Sequence, residues 1–571
     1  MEKWVVTAKR ADFQGIAKRF GIDPVVARVI TNRGIVGDEA IRTYLYGGTD
    51  DLKDPLALKD MDRASAIVKE KIRSGARIRV IGDYDIDGIM ASYILKRGIT
   101  ELGGQVDIRI PNRMKDGYGI SEDMVRRAHD EGVDTIITCD NGIAAHAQAD
   151  LARSLGMTFV VTDHHEVTSL PAADAVVDPR REDDSSGSEN LCGAAVAWKL
   201  ILAMGGDRAL DLIAYAAFAT VGDIVALTGE NRIIVKEGLK RLRETDNIGL
   251  RMLAEATGTH LASLNTYHIG FILGPCLNAS GRLMSADKAV ELLLSRSEAE
   301  ARRYAEELKS LNESRKAMTD AGVEAAVNTI ETHDLLSDRV LVVYLPDVHE
   351  SVAGIIAGRI RERYARPVFI LTRGEEAVKG SGRSIEAYSM FEELRCASDL
   401  LIRFGGHPMA AGLTLQEEKI DELRARLNAL TTLSDEDLIP KVRIDVPMPV
   451  SYVTPRLISQ LELLEPCGKG NERPLFAQKH VLFEHPRLFG ARRNLLRAQV
   501  SSMTAPGDAA PDKIGFHPAT EGPALDAICF RNVEELYSRI RENPDIAIAY
   551  EPEINEYMGL KSVQIVINHF Q

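Results

Sequence analysis

The sequence has few of the features that mark disulfide-linked, zinc-binding or membrane-spanning proteins. Its 571 residues include six cysteines, and no two of them form a C-x-x-C pair, so neither a zinc site nor a disulfide framework is indicated. No uninterrupted apolar run approaches the ~20 residues of a membrane span. There is also no repeat of solenoid period and no long low-complexity tract. We therefore expect reduced cysteines in a soluble, cytoplasmic protein that folds along its whole length.

The net charge says little about the binding partner, and the length indicates only the approximate number of domains. A formal charge of −14 at pH 7 argues only weakly against a polyanionic partner, because a local basic groove can still follow a row of phosphates. The chain is much longer than a single hydrophobic core of about 250–300 residues allows. We expect three or four domains.

Short β-branched runs alternate with helical stretches between about residues 77 and 180. The five runs are RIRVIG, VDIRI, DTIITC, TFVVT and DAVVD. This spacing is typical of βαβ units and predicts a parallel sheet. Polar or glycine-containing segments follow the runs, and open parallel sheets bind their ligands at the carboxyl ends of the strands.

The rest of the chain has a different pattern. A stretch rich in helix formers at 285–332 predicts a long connecting helix with at most one break. A second α/β block follows and ends near residue 430, and after about 440 the strand-like runs suggest a small β-barrel. The segment 505–522, rich in proline and glycine, is interpreted as a surface insertion.

The most informative segment is GDYDIDG, in which Asp83, Asp85 and Asp87 alternate directly after a predicted strand. Residues two apart share a face in an extended chain, so the carboxylates can converge. Their repulsion requires a counter-charge, and Mg²⁺ and Mn²⁺ prefer carboxylate oxygens. An EF-hand loop is excluded because Ile94 stands where a bidentate glutamate is needed. Taken alone, the segment could still be an ordinary polar turn.

Two further predicted strands deliver metal-binding side chains to the same edge of the sheet. Asp140 follows DTIITC, and Asp163, His164 and His165 follow TFVVT. One histidine of such a pair can bind a metal while its neighbour faces a substrate. Asp223, in VGDIVAL, is a weaker candidate that could instead be a helix-capping residue.

The motifs DYDIDG, CDNG, DHH and VGDIVAL, in this order, resemble those of the DHH phosphoesterase superfamily. NASGR at 278–282, GSGRS at 380–384, FGGHPMAAG at 404–412 and LEPCGKGN at 464–471 are similar to elements of RecJ-type exonucleases. The chain departs from the usual RecJ residues at Cys276, Val348, Ser351 and Cys467. The resemblance implies an α/β fold in which a parallel-sheet DHH domain and a second α/β domain, DHHA1, are joined by a long helix and followed by an OB-like β-barrel. The implied boundaries are an N-terminal helical segment at 1–65, the DHH domain at 66–230, a helical connector at 231–335, DHHA1 at 336–435 and the OB-like domain at 436–571.

The resemblance also implies a centre of two Mn²⁺ or Mg²⁺ ions and assigns roles to individual residues. The implied metal ligands are Asp83, Asp85, Asp87, Asp140, His164 and Asp223. Catalysis would depend on Asp140, His164 and His165, and His165 would contact the scissile phosphate or assist the leaving oxygen. The implied substrate-binding residues are Arg113, Tyr118, Arg282, Ser381, Arg383 and His407. Without the resemblance, the last three would be read as loop and turn residues, and Tyr118 could equally pack against the sheet.

The function implied by the resemblance is 5′-to-3′ hydrolysis of single-stranded DNA to mononucleotides in DNA repair and recombination. Arg492, Arg493 and Arg497 would add phosphate contacts in the barrel. A helicase and a single-strand-binding protein are expected partners of a monomer. The alternatives are a DHH–DHHA1 phosphodiesterase of short oligonucleotides or cyclic dinucleotides, a pyrophosphatase or polyphosphatase, and a non-catalytic single-strand-binding scaffold.

Overall fold

The structure is a computed structural model that describes residues 2–112, 117, 119–206, 208–490, 493–502, 524–543, 545–557 and 559–571. Arg113, Tyr118, Arg492 and the predicted insertion at 505–522 therefore lie outside the described residues. The chain divides into two compact units, one built mainly from 54–223 and 238–440, and the other from 3–53, 224–237 and 441–571. Among the described residues, no helix combines the length and apolar character that crossing a bilayer requires.

The secondary-structure elements of the described residues are numbered in chain order. The α-helices are α1 (Phe13–Phe20), α2 (Pro24–Asn32), α3 (Asp38–Tyr46), α4 (Met61–Arg73), α5 (Ile86–Glu101), α6 (Glu122–Asp130), α7 (His146–Ser154), α8 (Gly193–Met204), α9 (Ile213–Gly222), α10 (Gly229–Arg243), α11 (Ile248–Thr257), α12 (Thr266–His268), α13 (Gly274–Leu283), α14 (Asp287–Leu294), α15 (Glu298–Thr332), α16 (Glu350–Tyr364), α17 (Met390–Cys396), α18 (Ile420–Leu430), α19 (Pro455–Leu461) and α20 (Val533–Glu542). The strands are β1 (Lys3–Val6), β2 (Arg77–Gly82), β3 (Gln105–Arg109), β4 (Thr135–Cys139), β5 (Thr158–Thr162), β6 (Ala175–Val177), β7 (Leu341–Tyr344), β8 (Val368–Arg373), β9 (Val378–Arg383), β10 (Arg403–His407), β11 (Ala410–Leu415), β12 (Lys441–Ile444), β13 (Val446–Pro447), β14 (Phe476–Phe489), β15 (Leu495–Ser502), β16 (Leu525–Cys529), β17 (Asp545–Tyr557) and β18 (Leu560–Phe570).

The five predicted runs form one parallel sheet in the order β3-β2-β4-β5-β6. All residues of β4 and nearly all of β2 and β5 are buried, as expected where helices cover both faces of a parallel sheet. Because β2, β4 and β5 are adjacent, their carboxyl ends meet at one edge. The predicted parallel sheet is confirmed.

The second sheet of this unit has the order β10-β11-β9-β8-β7. Only β7 and β8 run parallel, and the other pairs are antiparallel. The predicted connecting helix corresponds to α14 and the 35-residue α15, separated by one break. Ser297 caps the start of α15 by accepting from Glu300 N, which explains why the helix restarts there.

In the other unit, six strands have the order β13-β14-β15-β16-β18-β17, and an additional pairing of β14 with β17 closes them into the predicted OB-like barrel. The barrel interior shares its apolar core with helices α1 to α3. One pairing is not predicted by the sequence: β1, at the start of the chain, runs parallel to β12. A single four-residue strand carries too little pattern to identify its partner.

Candidate metal centre

The link between β2 and α5 places three carboxylates together. Asp83 directly follows β2 and is buried. Asp85 is the N-cap residue of α5, and its side chain accepts hydrogen bonds from Asp87 N (3.0 Å) and Gly88 N (3.2 Å). An acidic cap satisfies free N–H groups at the positive end of the helix. The three alternating aspartates therefore have different positions: Asp83 follows the strand, Asp85 caps α5 and Asp87 lies in the first turn of α5.

The Asp87 carboxylate is fixed by a second helix. It accepts hydrogen bonds from Gly193 N (2.6 Å) and Ala194 N (2.7 Å), at the start of α8. Asp87 is 1% exposed, and burial raises the pKa of this carboxyl. The two backbone donors orient the carboxylate without neutralising it, which leaves its negative charge available to a cation.

Asp140 follows β4 with a positive φ of 58°, a conformation that aspartate tolerates better than most residues. It is buried, and burial together with Asp87 and Asp85 raises the pKa of Asp140 well above its ordinary value. A Cβ atom at Gly193 would lie 2.7 Å from Asp140 Cβ. Glycine is therefore required there for α8 to approach β4 this closely.

The paired histidines have different environments. His164 is buried, and burial lowers the pKa of its imidazole. Its Nε2 lies 3.1 Å from Asp140 Oδ1 and 3.5 Å from Asp87 Oδ2, which suits a neutral metal ligand. His165 Nδ1 lies 2.7 Å from Asp163 Oδ1. Burial alone would lower the pKa of His165, but Asp163 raises it to about 9.

Asp223 directly follows the last residue of α9. A carboxylate is disfavoured there, because the carbonyl end of a helix carries partial negative charge. Ligand atoms of Asp223, Asp87 and His164 all lie within 4.8 Å of one another. Asp223 thus occupies the C-cap position of α9, and its carboxylate converges with Asp87 and His164.

Two more groups satisfy the same 4.8 Å condition: Asp83, Asp85 and Asp140, and Asp140, His164 and His165. Carboxylates dominate the cluster. Burial, with a contribution from Asp85, raises the pKa of Asp83 to about 7, and Asp83 Oδ1 is buried with no hydrogen-bond partner among the described residues. Crowded carboxylates, an imidazole and an unsatisfied oxygen fit one or more divalent cations that prefer oxygen ligands.

Four of the predicted substrate-binding residues lie among the described residues. Arg282 is on α13, and its Nη1 donates to Ser351 O (3.3 Å). Ser381 and Arg383 are on β9, and His407 is at the exposed end of β10. Ser381 lines a cavity of about 500 Å³ together with Tyr84, which lies between Asp83 and Asp85. The structure thus places Ser381 opposite the metal-binding segment.

Two other arginines that were predicted to contact the substrate have partners within the protein. Arg383 is half-buried, and burial and nearby Arg361 lower its pKa; its Nη1 donates to Gly382 O (2.8 Å). In the barrel, Arg497 lies over the ring of Phe489 at 5.7 Å, and Arg493 is exposed. Arg113, Tyr118 and Arg492 lie outside the described residues.

Two polar residues near the centre have contacts or positions that the sequence analysis did not assign. Asp178 follows β6 and is buried; burial raises its pKa to about 7, and its Oδ2 has no hydrogen-bond partner among the described residues. Its position after the run DAVV is the same signal that identified Asp140. Asn278 Oδ1 accepts from Ile86 N (2.8 Å) and so fixes the start of α5. No local pattern predicts that contact, because the two residues are far apart in the chain.

A parallel sheet whose strand ends carry a buried carboxylate and histidine cluster, joined by a long helix to a second α/β sheet, defines a metal-dependent phosphoesterase of the DHH type. The family model for the DHH family, N-terminal domain, matches residues 77–222, that for the DHHA1 domain matches 337–432, and that for the RecJ OB domain matches 444–569. The chain belongs to the RecJ family of single-stranded-DNA-specific exonucleases.

Individual relatives support this assignment over the whole chain. The chain is 34% identical to the single-stranded-DNA-specific exonuclease RecJ of Bacillus subtilis, with 99% of this chain and 70% of that protein covered. It is 33% identical to RecJ of Escherichia coli, with 96% of each covered. A crystal structure of Thermus thermophilus RecJ in complex with Mn²⁺ matches with a TM-score of 0.83 and 29% identity, covering 100% of this chain and 79% of that one. A second structure of that protein is a complex with Mg²⁺.

Replacing Gly193 with alanine is expected to weaken Mn²⁺ binding by about 10- to 100-fold, the usual effect of disturbing a group that orients a metal ligand. The new methyl group would displace α8 from Asp140 and remove both backbone donors from Asp87. Calorimetric titration with Mn²⁺ measures the effect. Gly358→Ala is the matched control, because a Cβ there meets nothing within 4 Å. Equal affinities of the two variants would contradict this role of Gly193.

The effect of Mg²⁺ on the melting temperature is expected to grow with pH. Burial raises the pKa of Asp83 to about 7, above the value of about 3.9 in an unfolded chain. The protonated form therefore stabilises the metal-free fold, and this contribution is lost as pH rises from about 4 through 7. In EDTA the melting temperature should fall over this range, and Asp83→Asn should reduce the fall. An Mg²⁺-induced shift that is equal at pH 5.5 and pH 8 would contradict the prediction.

Proposed function

We propose that this chain is a metal-dependent exonuclease that hydrolyses single-stranded DNA to mononucleotides from the 5′ end. The observation that carries the proposal is the convergence of Asp83, Asp85, Asp87, Asp140, His164 and Asp223 at one edge of a parallel sheet. Membership of the RecJ family supports the substrate and the reaction. The polarity is proposed from that family resemblance.

We propose the same six residues as ligands of two Mn²⁺ or Mg²⁺ ions. Two such ions, when bound, activate a water molecule and stabilise charge on the attacking and leaving oxygens of a phosphodiester. Asp140 and His164 each occur in two of the three groups of converging ligand atoms, which favours a central position for them among the residues that would hold the ions. The Thermus thermophilus relative, solved with either ion, supports this choice of metals.

His165 is proposed to hold a proton for the leaving oxygen. Its raised pKa, about 9, keeps the imidazole protonated near neutral pH. Asp163 holds the ring in place through Nδ1, and Nε2 is proposed to face the substrate. Asp163 itself is a positioning residue, because it acts through His165.

We propose that the strand is held on the DHHA1 side by Ser381, Arg383 and His407, with Arg282 and Arg113 near the 5′ end and Tyr118 beside a base. Gly380 and Gly382, on either side of Ser381, leave no room for a Cβ because that side of the strand packs against Leu371 and Met390. The OB-like barrel offers Arg492, Arg493 and Arg497 for further phosphates. The domain boundaries inferred from the sequence are proposed unchanged.

The test is release of labelled nucleotide from single-stranded DNA tagged at either its 5′ or its 3′ end, with Mn²⁺, Mg²⁺ or EDTA. We expect early loss of the 5′ tag, no release in EDTA and release by Asp140→Asn that is slower by about 1,000-fold or more. Loss of the 3′ tag first would overturn the polarity. Absence of release with either metal would instead favour a binding scaffold.

The same assay separates this function from a phosphodiesterase of short substrates. An exonuclease should degrade a long strand at least as efficiently as a dinucleotide, whereas an enzyme for short oligonucleotides or cyclic dinucleotides would leave the long strand intact. A helicase and a single-strand-binding protein are proposed partners of a monomer. Light scattering of the purified chain, alone and with each partner, tests these proposals.

A further inference from the structure

Two large aromatic side chains stand exposed on one face of the helical path that runs from α12 into α13. Tyr267 is 59% exposed and Phe271 is 67% exposed. They are four residues apart, which places them on the same side of a helix. Their rings are stacked, with centroids 5.2 Å apart and planes at 26°. Isolated exposed apolar residues are common, but here two rings form one continuous surface.

The turn that carries these rings has an unusual backbone. Residues Ile269–Leu273 form a π-helical turn, and such turns are rare and frequent at functional sites. Ile269 and Leu273 are buried on its inner side, whereas Phe271 lies on its outer side. The fold therefore fixes the turn firmly while it leaves the aromatic faces in water.

The inner side of the same turn contacts residues that adjoin the metal centre. A Cβ at Gly270 would lie 3.9 Å from Val221 Cγ1, two residues before Asp223. A Cβ at Gly274 would lie 3.1 Å from Ile86 Cδ1, between Asp85 and Asp87. These contacts place the turn that carries the rings against the segments that hold Asp85, Asp87 and Asp223.

The neighbouring chemistry suits a single nucleic-acid strand. Arg282 is further along the same helical path and is a candidate phosphate contact. His268 packs edge-on against Tyr267, with ring centroids 6.0 Å apart. Surfaces that bind single strands combine cations for phosphates with aromatic faces for bases, and stacking on an aromatic face tolerates any base. A protein partner would not require this proximity to the metal centre.

We propose that Tyr267 and Phe271 form a stacking surface for the bases of the substrate strand next to the nucleotide being cleaved. This inference rests on the proposed function, because it assigns a second contact to the same substrate. In a duplex the base faces are covered by neighbouring bases, so they cannot stack on protein rings. The surface therefore also favours an unpaired strand over a paired one.

The test uses DNA strands in which one nucleotide at a time is replaced by an abasic residue, starting from the cleaved end. With the unmodified chain we expect an abasic residue at one or two positions to lower kcat/KM by about 5- to 150-fold, the equivalent of 1–3 kcal/mol of stacking per base. In the double variant Tyr267→Ala/Phe271→Ala, kcat/KM on the intact strand should fall by a similar factor, and an abasic residue should lower it no further. The variant Phe271→Trp retains an aromatic ring, so its kcat/KM should still fall when the base is missing.

Controls separate this proposal from the proposed function. The Mn²⁺-induced shift in melting temperature should be the same in the double variant and the unmodified chain, which shows that the metal centre is intact. Leu336→Ala removes another exposed apolar side chain and should not alter kcat/KM. If the unmodified chain releases no nucleotide from any strand, the proposed function fails. The stacking proposal is wrong if the unmodified chain releases nucleotide and the double variant has the same kcat/KM on every strand. It is also wrong if the double variant changes only the oligomeric state. In both cases the proposed exonuclease function is retained.

Discussion

Replacing Asp140 with asparagine is expected to lower nucleotide release from single-stranded DNA by about 1,000-fold or more, and to raise the melting temperature measured in EDTA. The first effect follows because Asp140 is in two of the three groups of converging ligand atoms and lies 3.1 Å from His164 Nε2. If the transition state loses several kcal/mol of stabilisation by the metal ions, the rate falls by a factor of this size.

The second effect has the opposite sign because the metal-free cluster is electrostatically strained. Burial and the neighbouring Asp87, Asp85 and Asp83 all raise the pKa of Asp140, which means that its ionised form opposes folding. An amide keeps the shape of the side chain and removes the charge. Residues retained for function at the expense of stability behave in this way.

Nucleotide-release rates with Mn²⁺ and melting temperatures in EDTA measure both effects on the same preparation. Asp150→Asn is the matched control, since Asp150 is an exposed aspartate on α7 and should change neither quantity. If Asp140→Asn retained more than a tenth of the activity, or melted below the unmodified chain in EDTA, Asp140 could not be a central metal ligand.

The convergence of most of the proposed metal ligands could be predicted from the sequence, because they follow strands of one parallel sheet. Asp223 follows helix α9 instead. Neighbouring parallel strands end at the same edge, so Asp83, Asp140 and His164 had to approach one another once β2, β4 and β5 were adjacent. The pattern of apolar runs is sufficient to predict that these strand ends meet. The order of the motifs along the chain is enough to identify the family.

The contacts that orient those residues could not be predicted. Asp87 depends on the backbone of Gly193 and Ala194, and Ile86 depends on Asn278. These contacts join segments separated by a hundred residues or more, and a glycine or asparagine in a helical stretch gives no local sign of its partner. The stacked rings of Tyr267 and Phe271 were missed for a related reason, since four-residue spacing of aromatics is more often a sign of a buried helix face.

The environment of Asp163 could likewise be read only from the structure. In the sequence it is the first residue of a three-residue motif, and any of the three could be a ligand. In the structure its Oδ1 accepts from His164 N (2.8 Å) and lies 2.7 Å from His165 Nδ1, and its Oδ2 accepts from Ile143 N (2.9 Å). These hydrogen bonds, above all the one with His165, offset the effect of burial and lower the pKa of Asp163. Asp163 therefore remains ionised, and its negative charge stabilises the protonated form of His165.

Replacing Asp163 with asparagine is accordingly expected to lower kcat by about 100-fold or more, the contribution typical of a positioned acid or base, with little change in KM. An amide can still hold the ring but cannot stabilise the imidazolium, so the pKa of His165 should fall from its raised value of about 9. The acid form of His165 is present below that pKa and is lost above it. In the variant, activity should therefore begin to fall at a lower pH than in the unmodified chain.

The pH dependence distinguishes loss of this proton from general damage to the site. We would measure kcat against pH at saturating Mn²⁺, with Asp174→Asn as control, since Asp174 accepts a hydrogen bond from Phe159 N (2.8 Å) at the opposite end of β5. The control should keep the unmodified profile. If Asp163→Asn lowered kcat equally at every pH, the loss would have to arise from the metal ligands themselves, and the assignment of His165 as the proton donor would be wrong. A shift of the basic limb without loss of Mn²⁺ affinity would instead assign the two histidines of the motif to separate tasks, His164 binding the metal and His165 donating the proton.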